Sequence, residues 1–338
     1  RDGVRIEISV FQGNFAVRLN GYAFNGICFR CQRYRKFMAF DFCIRGIGLA
    51  RFKSLVLIFL KVEFKAVLYV SCLKVVILAG GFGTRISEES QFKPKPMIEI
   101  GGMPILWHIM KEYAYYGFNE FIVCAGYKQA FIKDWFAGYF LHTRDDTFDF
   151  TSGKNDMVIH RQQCEPWKVT VVDTGLNTMT GGRIKRIQKY VGNEPFFMTY
   201  GDAVCDVDIN KLLEFHRSHG KLATLTAVIQ AQEKGVLDID EDNSVHSFRE
   251  KEAMDGSPIN AGYMVLQPEV FDYIEGDKTI FEKGPLVQLA SEGQLMSYTH
   301  RGFWQCMDNI REKNLLENLL AQGKAPWKKW EREIPIVK

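Results

Sequence analysis

Two features are scarce in this sequence: hydrophobic runs long enough to cross a membrane, and cysteines at paired spacing. The longest uncharged apolar run near the front is Leu55–Leu60, whereas a membrane helix needs about 20 apolar residues. Cys28 and Cys31 form a C-x-x-C, but no second pair or histidine follows at the spacing of zinc ligands. We therefore expect no membrane partner and a reducing, cytoplasmic setting.

Residues 1–73 contain no proline, histidine, threonine or tryptophan, although they hold ten of the 26 phenylalanines. They carry twelve Lys/Arg against four Asp/Glu, so any argument for a nucleic-acid partner would rest on this segment alone. Apart from a candidate strand at Leu55–Leu60, the segment shows no helical or strand period. We predict an atypical N-terminal segment over residues 1–73, either upstream read-through or disordered. One functional domain is predicted over residues 74–338, with no nucleic-acid partner.

From Lys74 onward, buried strands alternate with amphipathic helices. The predicted strands are Val75–Leu78, Glu120–Ala125, Phe196–Tyr200 and Leu222–Ile229, with shorter strands between 236 and 266. One predicted helix begins at Pro104, and three others cover Tyr127–Phe140, Asp208–His219 and Asp308–Leu320. The polar stretch Arg144–Asp156 is predicted to be a flexible loop or lid. This alternation predicts an α/β fold with a largely parallel sheet, in which ligands bind at the carboxyl ends of the strands.

A glycine-rich segment, Leu78-Ala79-Gly80-Gly81-Phe82-Gly83-Thr84-Arg85, follows the first buried strand directly. Three glycines within four residues allow successive backbone N–H groups to turn toward one anion. Thr84 adds a hydroxyl donor, and Arg85 adds a guanidinium suited to phosphate oxygens. Two other glycine patterns fail, since G-x-x-x-x-G-K-[ST] has no match and G-x-G-x-x-G would need glycine at Ile86. The residues Gly80–Arg85, here called the Gly-rich turn, therefore predict a phosphate site of another kind.

Ten residues after Arg85 comes Lys95, within the sequence Lys93-Pro94-Lys95-Pro96. Prolines on both sides fix their own backbone φ angles and are expected to hold the neighbouring residues extended. A lysine restrained in this way suits a cation that meets a transferring phosphoryl group. In an isolated K-P-K-P a solvated surface lysine would be the better interpretation, but the Gly-rich turn favours the phosphate role.

A strand followed by L-A-G-G-x-G-T-R and then K-P-K-P resembles the signature of sugar nucleotidyltransferases. The similarity covers about Lys74 to Glu331. Further segments resemble the branch that forms CDP-glucose: Asp173–Gly175, Met179–Arg186, Thr199–Asp202, Gly302–Asp308 and Gly323–Trp327. The resemblance implies a Rossmann-like α/β domain with a small β-rich sugar-binding portion. It implies that α-D-glucose 1-phosphate attacks the α-phosphorus of CTP with Mg²⁺ bound, and that pyrophosphate leaves.

The resemblance also implies roles for individual residues. Arg85 and Lys95 would be catalytic, Asp202 and Asp308 would hold Mg²⁺, and Asp308 could equally cap the helix after it. The implied nucleotide-binding residues are Leu78, Ala79, Gly80, Gly81, Gly83, Thr84, Arg85, Lys95, Thr180, Arg183 and Gly201. The implied sugar-phosphate residues are Glu250, Lys251, Asn260 and Gly262. Base choice is expected in the residues Thr174–Gly182, here called the base loop, together with the Gly80 backbone.

Five positions depart from the family pattern: Ala203, Lys234, Val236, Glu252 and Cys306. The acid Glu252 replaces the proline that usually follows Glu250-Lys251, and a carboxylate beside a phosphate-binding lysine is unfavourable. These departures bear on the sugar site more than on the reaction class. Cys124 and Cys205, near strand ends, are interpreted as buried packing, because the sugar phosphate is itself the nucleophile.

Two alternatives stay open. A sister sugar-1-phosphate transferase would use UTP, dTTP or GTP, and a regulatory module would bind a sugar nucleotide without turnover. The presence of Arg85, Lys95 and Asp202 disfavours the regulatory module, and the failed G-x-G-x-x-G disfavours an NAD-binding enzyme. The resemblance further implies a homo-oligomer and a place in making CDP-linked deoxysugars for surface polysaccharide such as lipopolysaccharide O-antigen.

Overall fold

The structure is a computed structural model. It describes residues 73–139, 141, 145–151, 153, 156–160, 165–229 and 258–332, and the backbone of five strands outside these ranges. The candidate strand Leu55–Leu60 and the site residues Glu250 and Lys251 lie outside the described residues. The chain divides into two units, residues 1–68 and 69–338.

Three strands of the first unit belong to the described part of the chain: β1 (Ile6–Phe11), β2 (Asn14–Leu19) and β3 (Tyr22–Phe24). They form an antiparallel sheet in the order β1-β2-β3. The prediction that residues 1–73 carry no strand period was therefore wrong over β1, where Ile6, Ile8 and Val10 alternate with polar residues.

The second unit is built on a sheet with the strand order β10-β7-β4-β11-β16-β13-β17. In chain order these strands are β4 (Lys74–Ala79), β7 (Glu120–Ala125), β10 (Lys168–Asp173), β11 (Phe196–Tyr200), β13 (Ala223–Ile229), β16 (Pro258–Leu266) and β17 (Leu295–His300). Strand β16 is antiparallel to both its neighbours, and the other pairs are parallel. The predicted α/β fold with a mostly parallel sheet is confirmed.

Shorter strands pair in twos: β5 (Glu99–Ile100) with β6 (Met103–Pro104), β8 (Asp146–Asp149) with β9 (Asp156–Ile159), β12 (Ala203–Cys205) with β18 (Trp304–Cys306), and β14 (Val236–Ile239) with β15 (Val245–Arg249). Over Arg144–Asp156, where a flexible loop or lid was predicted, the structure has strands β8 and β9 paired as an antiparallel hairpin. The alternation of Asp146, Thr147, Phe148 and Asp149 has no clear apolar face, so pattern alone did not reveal it.

The described helices are α1 (Ser87–Ser90), α2 (Ile105–Tyr115), α3 (Gln129–Ala137), α4 (Thr180–Arg186), α5 (Gln188–Val191), α6 (Ile209–His219), α7 (Pro285–Ser291), α8 (Ile310–Ala321) and α9 (Lys329–Arg332). Short 3-10 helices cover Thr84–Ile86, Lys95–Met97 and Pro268–Tyr273. Within the part of the chain that the structure describes, no helix has the length and apolar character needed to span a bilayer.

Two of the described helices, α6 and α8, begin at residues whose side chains cap them. Asp208 caps α6 by accepting a hydrogen bond from the Lys211 N–H at 3.1 Å. Pro104 precedes α2 instead of occupying its first turn. Asn309, not Asp308, caps α8, with its side chain accepting from the Glu312 N–H at 3.0 Å. The Asp308 carboxylate is therefore not used as a cap, which removes the alternative raised for it.

Two layers of buried apolar side chains cover the two faces of the sheet. Apolar residues of β4 point to both, with Val75 and Ile77 facing α2 and α6 and Val76 and Leu78 facing α4 and α7. A strand covered on both faces reads as a continuous hydrophobic run, which is why β4, β7 and β11 were predictable. The strands β4 and β11 are neighbours and parallel, so the loops that follow them meet at one edge of the sheet.

Candidate active site

The Gly-rich turn leaves β4 at Ala79 and is shaped at Gly83, which has a left-handed backbone (φ 67°). A Cβ there would lie 3.1 Å from the Ser90 Cβ and 3.2 Å from the Lys95 Cβ, so a side chain is unfavourable on both counts. The Ser90 hydroxyl donates to the Gly83 carbonyl at 2.9 Å and fixes the turn. Thr84 and Arg85, at the end of this turn, are exposed.

Lys95 lies behind this turn, and its side chain is only 9% exposed. Pro94 is extended, as the proline pattern predicts, but Lys95 itself begins a 3-10 helix, so its expected extended backbone was wrong. The turn is closed by hydrogen bonds from the Met97 N–H to Pro94 and from the Ile98 N–H to Lys95. The lysine is thus held by backbone structure and by burial.

The two candidate metal ligands come from segments 106 residues apart, which a local strand pair brings together. In the antiparallel pair β12–β18, Ala203 faces Cys306. The Met307 N–H donates to the Asp202 carbonyl at 2.8 Å and extends the pairing by one step. Asp202 and Asp308 therefore emerge side by side, as the resemblance implied.

Four charges converge at this edge. The Lys95 Nζ lies 2.7 Å from Asp202 Oδ2 and 2.5 Å from Asp308 Oδ1. The Arg85 Nη1 lies 2.6 Å from the other Asp308 oxygen. Burial alone would lower the pKa of Lys95, but the charges and hydrogen bonds of Asp202 and Asp308 outweigh it and raise that pKa. Burial alone would raise the pKa of Asp308, but Lys95 and then Arg85 outweigh it and lower that pKa.

The carboxylate pair has the chemistry of a hard-cation site. One oxygen each from Asp202 and Asp308 reaches the same ammonium, so the two oxygens are close enough to be shared by a single ion. Oxygen ligands of this kind suit Mg²⁺. The Asp308 backbone N–H donates to the Glu312 carboxylate, which anchors the turn that carries Asp308.

Arg183, an implied nucleotide ligand, is directed into the protein. It is 5% exposed. Its guanidinium donates to five oxygens: Gly80 O at 2.9 Å, Ala125 O at 3.4 Å, Thr174 Oγ1 at 2.7 Å, Gly175 O at 2.8 Å and Leu176 O at 3.2 Å. These acceptors lie at the ends of β4 and β7 and at the start of the base loop. Arg183 therefore ties the Gly-rich turn to the base loop.

The base loop rests on a segment not singled out in the sequence, residues Asp277–Glu282, here called the brace. The Met179 N–H donates to the Asp277 carbonyl and the Gly181 N–H to the Thr279 carbonyl, each at 2.9 Å. A Cβ at Gly182 would lie 2.5 Å from the Asp277 Cα. The glycines of Thr180-Gly181-Gly182 thus permit the close approach of the brace.

Other implied residues lie around the same edge. Gly201 follows β11, and its N–H donates to the Leu78 carbonyl at 3.0 Å. Asn260 accepts from the Gly262 N–H at 2.9 Å, and Gly262 has a φ of 82° with the Tyr200 ring against it. No pattern pointed to Glu282, whose carboxylate accepts hydrogen bonds from Tyr200 and Thr180.

Cys124 and Cys205 are buried, as predicted from their positions. Burial raises the pKa of Cys124 to about 12 and raises the pKa of Cys205 well above its ordinary value. Both thiols stay protonated near neutral pH and serve packing.

This edge combines an exposed glycine-rich turn, a buried lysine and two neighbouring carboxylates, residue types suited to phosphoryl-group transfer. The profile of the nucleotidyl transferase family matches residues 74–305, and the chain belongs to this family. Within it, the chain is 54% identical over 260 residues to the glucose-1-phosphate cytidylyltransferase of Salmonella typhi, an alignment that covers 77% of this chain and 100% of that protein.

A second relative and a solved structure are also similar to this chain. A probable glucose-1-phosphate cytidylyltransferase of Bacillus subtilis is 44% identical over 261 residues, covering 76% of this chain and 100% of that protein. The crystal structure of HddC from Yersinia pseudotuberculosis aligns with a TM-score of 0.50 at 25% identity, covering 73% of this chain and 99% of that one. The resemblance predicted from the motifs, to the family and to its glucose-1-phosphate cytidylyltransferase branch, is confirmed.

Proposed function

We propose that this chain transfers the cytidylyl group of CTP to α-D-glucose 1-phosphate and releases pyrophosphate. The observation that carries the proposal is the convergence of Arg85, Lys95, Asp202 and Asp308 beside the Gly-rich turn. The 54% identity to a relative of that name supports the choice of substrates.

In the proposed reaction, a phosphate oxygen of glucose 1-phosphate forms a bond to the α-phosphorus of CTP. The bond from that phosphorus to the bridging oxygen breaks, and its electron pair leaves with pyrophosphate. The two substrates repel each other, so the protein's task is positioning and charge stabilisation. Arg85, whose side chain is 74% exposed, is free to turn from Asp308 toward the phosphates, while Lys95 is fixed close to the Gly-rich turn.

Asp202 and Asp308 would hold Mg²⁺ in this proposal. A bound Mg²⁺ supplies charge neutralisation to the triphosphate, as metals do in phosphoryl transfer generally. In the described structure the two carboxylates instead bind the Lys95 ammonium. Lys95 therefore competes with a cation for the same oxygens, and binding of the triphosphate gives the ammonium another anionic partner.

Base choice is assigned to the base loop and the Gly80 backbone. Cytosine and uracil present opposite hydrogen-bonding polarity at N3 and at the C4 substituent. Each mismatched buried group costs ~1–3 kcal/mol, so two give about a hundredfold discrimination or more. Because the Arg183 guanidinium is already bound by protein oxygens, we propose that base reading depends on the backbone that Arg183 positions.

The test is a comparison of triphosphates. The full chain is incubated with Mg²⁺, α-D-glucose 1-phosphate and, separately, CTP, UTP, dTTP or GTP, and pyrophosphate release is measured. We expect turnover with CTP to exceed the others at least about tenfold. Preference for another triphosphate would favour the sister transferase, and absence of turnover with all four would favour the non-catalytic module.

We further propose that residues 74–338 carry this activity, since the family profile begins at residue 74. A chain of residues 74–338 behind a new methionine is compared with the full chain. Equal kcat and KM are expected. A truncated chain that folds, judged by circular dichroism, but has lost activity would give residues 1–73 a functional role.

A further inference from the structure

Glu282 lies where three parts of the proposed site meet. Its Oε2 accepts from the Thr180 hydroxyl at 2.7 Å, and its Oε1 accepts from the Tyr200 hydroxyl. Thr180 belongs to the base loop, and Tyr200 is the last residue of β11, two residues before Asp202. The Tyr200 ring in turn packs against Gly262 of β16. One carboxylate thus contacts the base loop and the strand that leads to Asp202, and the Tyr200 ring connects it to β16.

The hydrogen bonds around Glu282 have one consistent direction. The Phe281 N–H donates to the Thr180 oxygen at 2.9 Å, and the Thr180 hydroxyl then donates to Glu282. Burial, followed by the charge and hydrogen bond of Glu282, raises the pKa of Tyr200 above its ordinary value, so the phenol remains a donor at neutral pH. Both hydroxyls therefore donate to the Glu282 carboxylate, and such charge-assisted bonds are stronger than neutral ones.

The surroundings make this contact stiff. The brace that carries Glu282 is bound to the base loop by the backbone bonds from Met179 and Gly181. It is also held by the Arg186–Asp277 pair, with distances of 2.8 and 2.6 Å. A shift of the base loop therefore moves the brace, and the Glu282 carboxylate transmits the shift to Tyr200.

We infer that Glu282 is a positioning residue that couples the base loop to the turn carrying Asp202 and to the sugar strand β16. The inference rests on the proposed function for the names of the two ligands. It assigns Glu282 no contact with either of them. A substitution in the base loop should therefore weaken the binding of the sugar phosphate. A substitution beside the sugar strand should likewise weaken the binding of CTP.

The experiment uses Thr180→Val and Tyr200→Phe, which each remove one hydroxyl, in the wild-type and Glu282→Ala chains. The dissociation constants of CTP and of α-D-glucose 1-phosphate are measured by calorimetry, together with KM and kcat. Glu282→Ala is expected to weaken both ligands about tenfold, because each lost charge-assisted bond is worth about 1.5 kcal/mol or more. Glu282→Gln, which keeps the shape and one acceptor, is expected to recover part of this loss.

The decisive measurements are the crossed effects, meaning the effect of each substitution on the ligand assigned to the other part of the site. In the wild-type background, Thr180→Val should weaken glucose 1-phosphate, and Tyr200→Phe should weaken CTP, each by about threefold or more. In the Glu282→Ala background these crossed effects should disappear. Glu292→Ala is the matched control, since the Glu292 carboxylate, at the end of α7, accepts from Tyr273 at 2.7 Å and from Gln288 at 2.9 Å, and neither residue is assigned to the site.

Two results would overturn the inference. In the first, Thr180→Val weakens only CTP and Tyr200→Phe weakens only glucose 1-phosphate. In the second, Glu282→Ala lowers only the melting temperature, as Glu292→Ala would, and leaves both dissociation constants unchanged. Failure of the proposed function looks different. In that case the wild-type chain does not turn over CTP, and the same panel is run with the triphosphate that the wild type binds, where the crossed effects still decide the role of Glu282.

Discussion

The Gly-rich turn and the base loop are both rich in glycine, yet they are supported in opposite ways. In the Gly-rich turn, a Cβ at Gly81 would meet nothing within 4 Å, and Thr84 and Arg85 are exposed. In the base loop, Gly182 packs onto the brace, with its Cβ position 2.5 Å from the Asp277 Cα. Glycine at residue 81 leaves the backbone open to a ligand, whereas glycine at residue 182 leaves room for the protein itself.

The difference extends to the cations beside each region. Lys95 and Arg85, next to the Gly-rich turn, are paired with carboxylates that a metal ion and phosphates can take over. Arg183, next to the base loop, is bound to protein oxygens, four of them backbone carbonyls. We therefore expect substitutions near the Gly-rich turn to reduce activity and substitutions near the base loop to reduce stability.

The largest effect is expected from Lys95→Ala. Loss of one cation that meets the transferring phosphoryl group should lower kcat/KM by about 10²–10³, or about 3 kcal/mol. Lys93→Ala is the control from the same K-P-K-P sequence, because Lys93 pairs only with exposed Glu99 at 2.8 Å in the described structure. Equal losses in the two variants would remove the special role of Lys95.

Arg183→Met tests the other side of the comparison. The Gly175 and Leu176 carbonyls would lose a buried donor, and each unsatisfied acceptor costs about 1–3 kcal/mol. We expect the free energy of unfolding to fall by about 3 kcal/mol, measured by guanidinium denaturation. Arg186→Met, which breaks an exposed pair with Asp277, should cost about 1 kcal/mol or less. A stable Arg183→Met chain that is inactive would instead make Arg183 a direct ligand.

Gly182→Ala and Gly81→Ala compare the two regions with the same added methyl group. The methyl at residue 182 meets backbone of the brace, and we expect a loss of about 2 kcal/mol in stability from overpacking. At residue 81 we expect little change in stability but a clear loss of turnover, because a ligand must approach that backbone. The stability of the two variants is measured by thermal unfolding and their turnover by pyrophosphate release. A larger loss of stability in Gly81→Ala than in Gly182→Ala would contradict the comparison.

Sequence reasoning found the elements whose signals are local. Strands Glu120–Ala125 and Phe196–Tyr200 have the predicted bounds, because short apolar runs bounded by turn residues are typical of buried strands. The Gly-rich turn and Lys95 were also identified, since phosphate chemistry restricts residue type within a few positions. The resemblance supplied Asp202 and Asp308, and the structure shows the strand pair that aligns them.

The residues that support the base loop could not be recognised as such from a local pattern in the sequence. Arg183 and the Gly80 carbonyl are 103 residues apart, and Glu282 and Thr180 are 102 apart. A single arginine or glutamate reads as a solvated surface charge in sequence, because the acceptors that bury it come from distant backbone. Only the packing of α4 against the brace reveals that these side chains are structural.

The smallest expected effect concerns His108, a buried histidine of α2. His108 is buried, donates from Nε2 to the Ile100 carbonyl at 2.9 Å and accepts from the Trp327 Nε1 at 3.3 Å, an arrangement that fits the neutral ring. Burial, followed by the charge of Lys328, lowers its pKa to about 4, against an ordinary value of 6.5. The unfolded chain therefore binds this proton more tightly, and stability is lost as the pH falls from 6.5 toward 4.

Between pH 7 and pH 5.5 the loss from His108 should be about 1 kcal/mol. Denaturation of the wild-type and His108→Gln chains at both pH values isolates this contribution, because His216, whose pKa is also lowered to about 4 by burial, titrates in both chains. The acid loss should be smaller in His108→Gln by that amount. An equal loss in both chains would mean that His108 does not contribute to the acid sensitivity of the fold, and that burial of this ring leaves its proton affinity unchanged on folding.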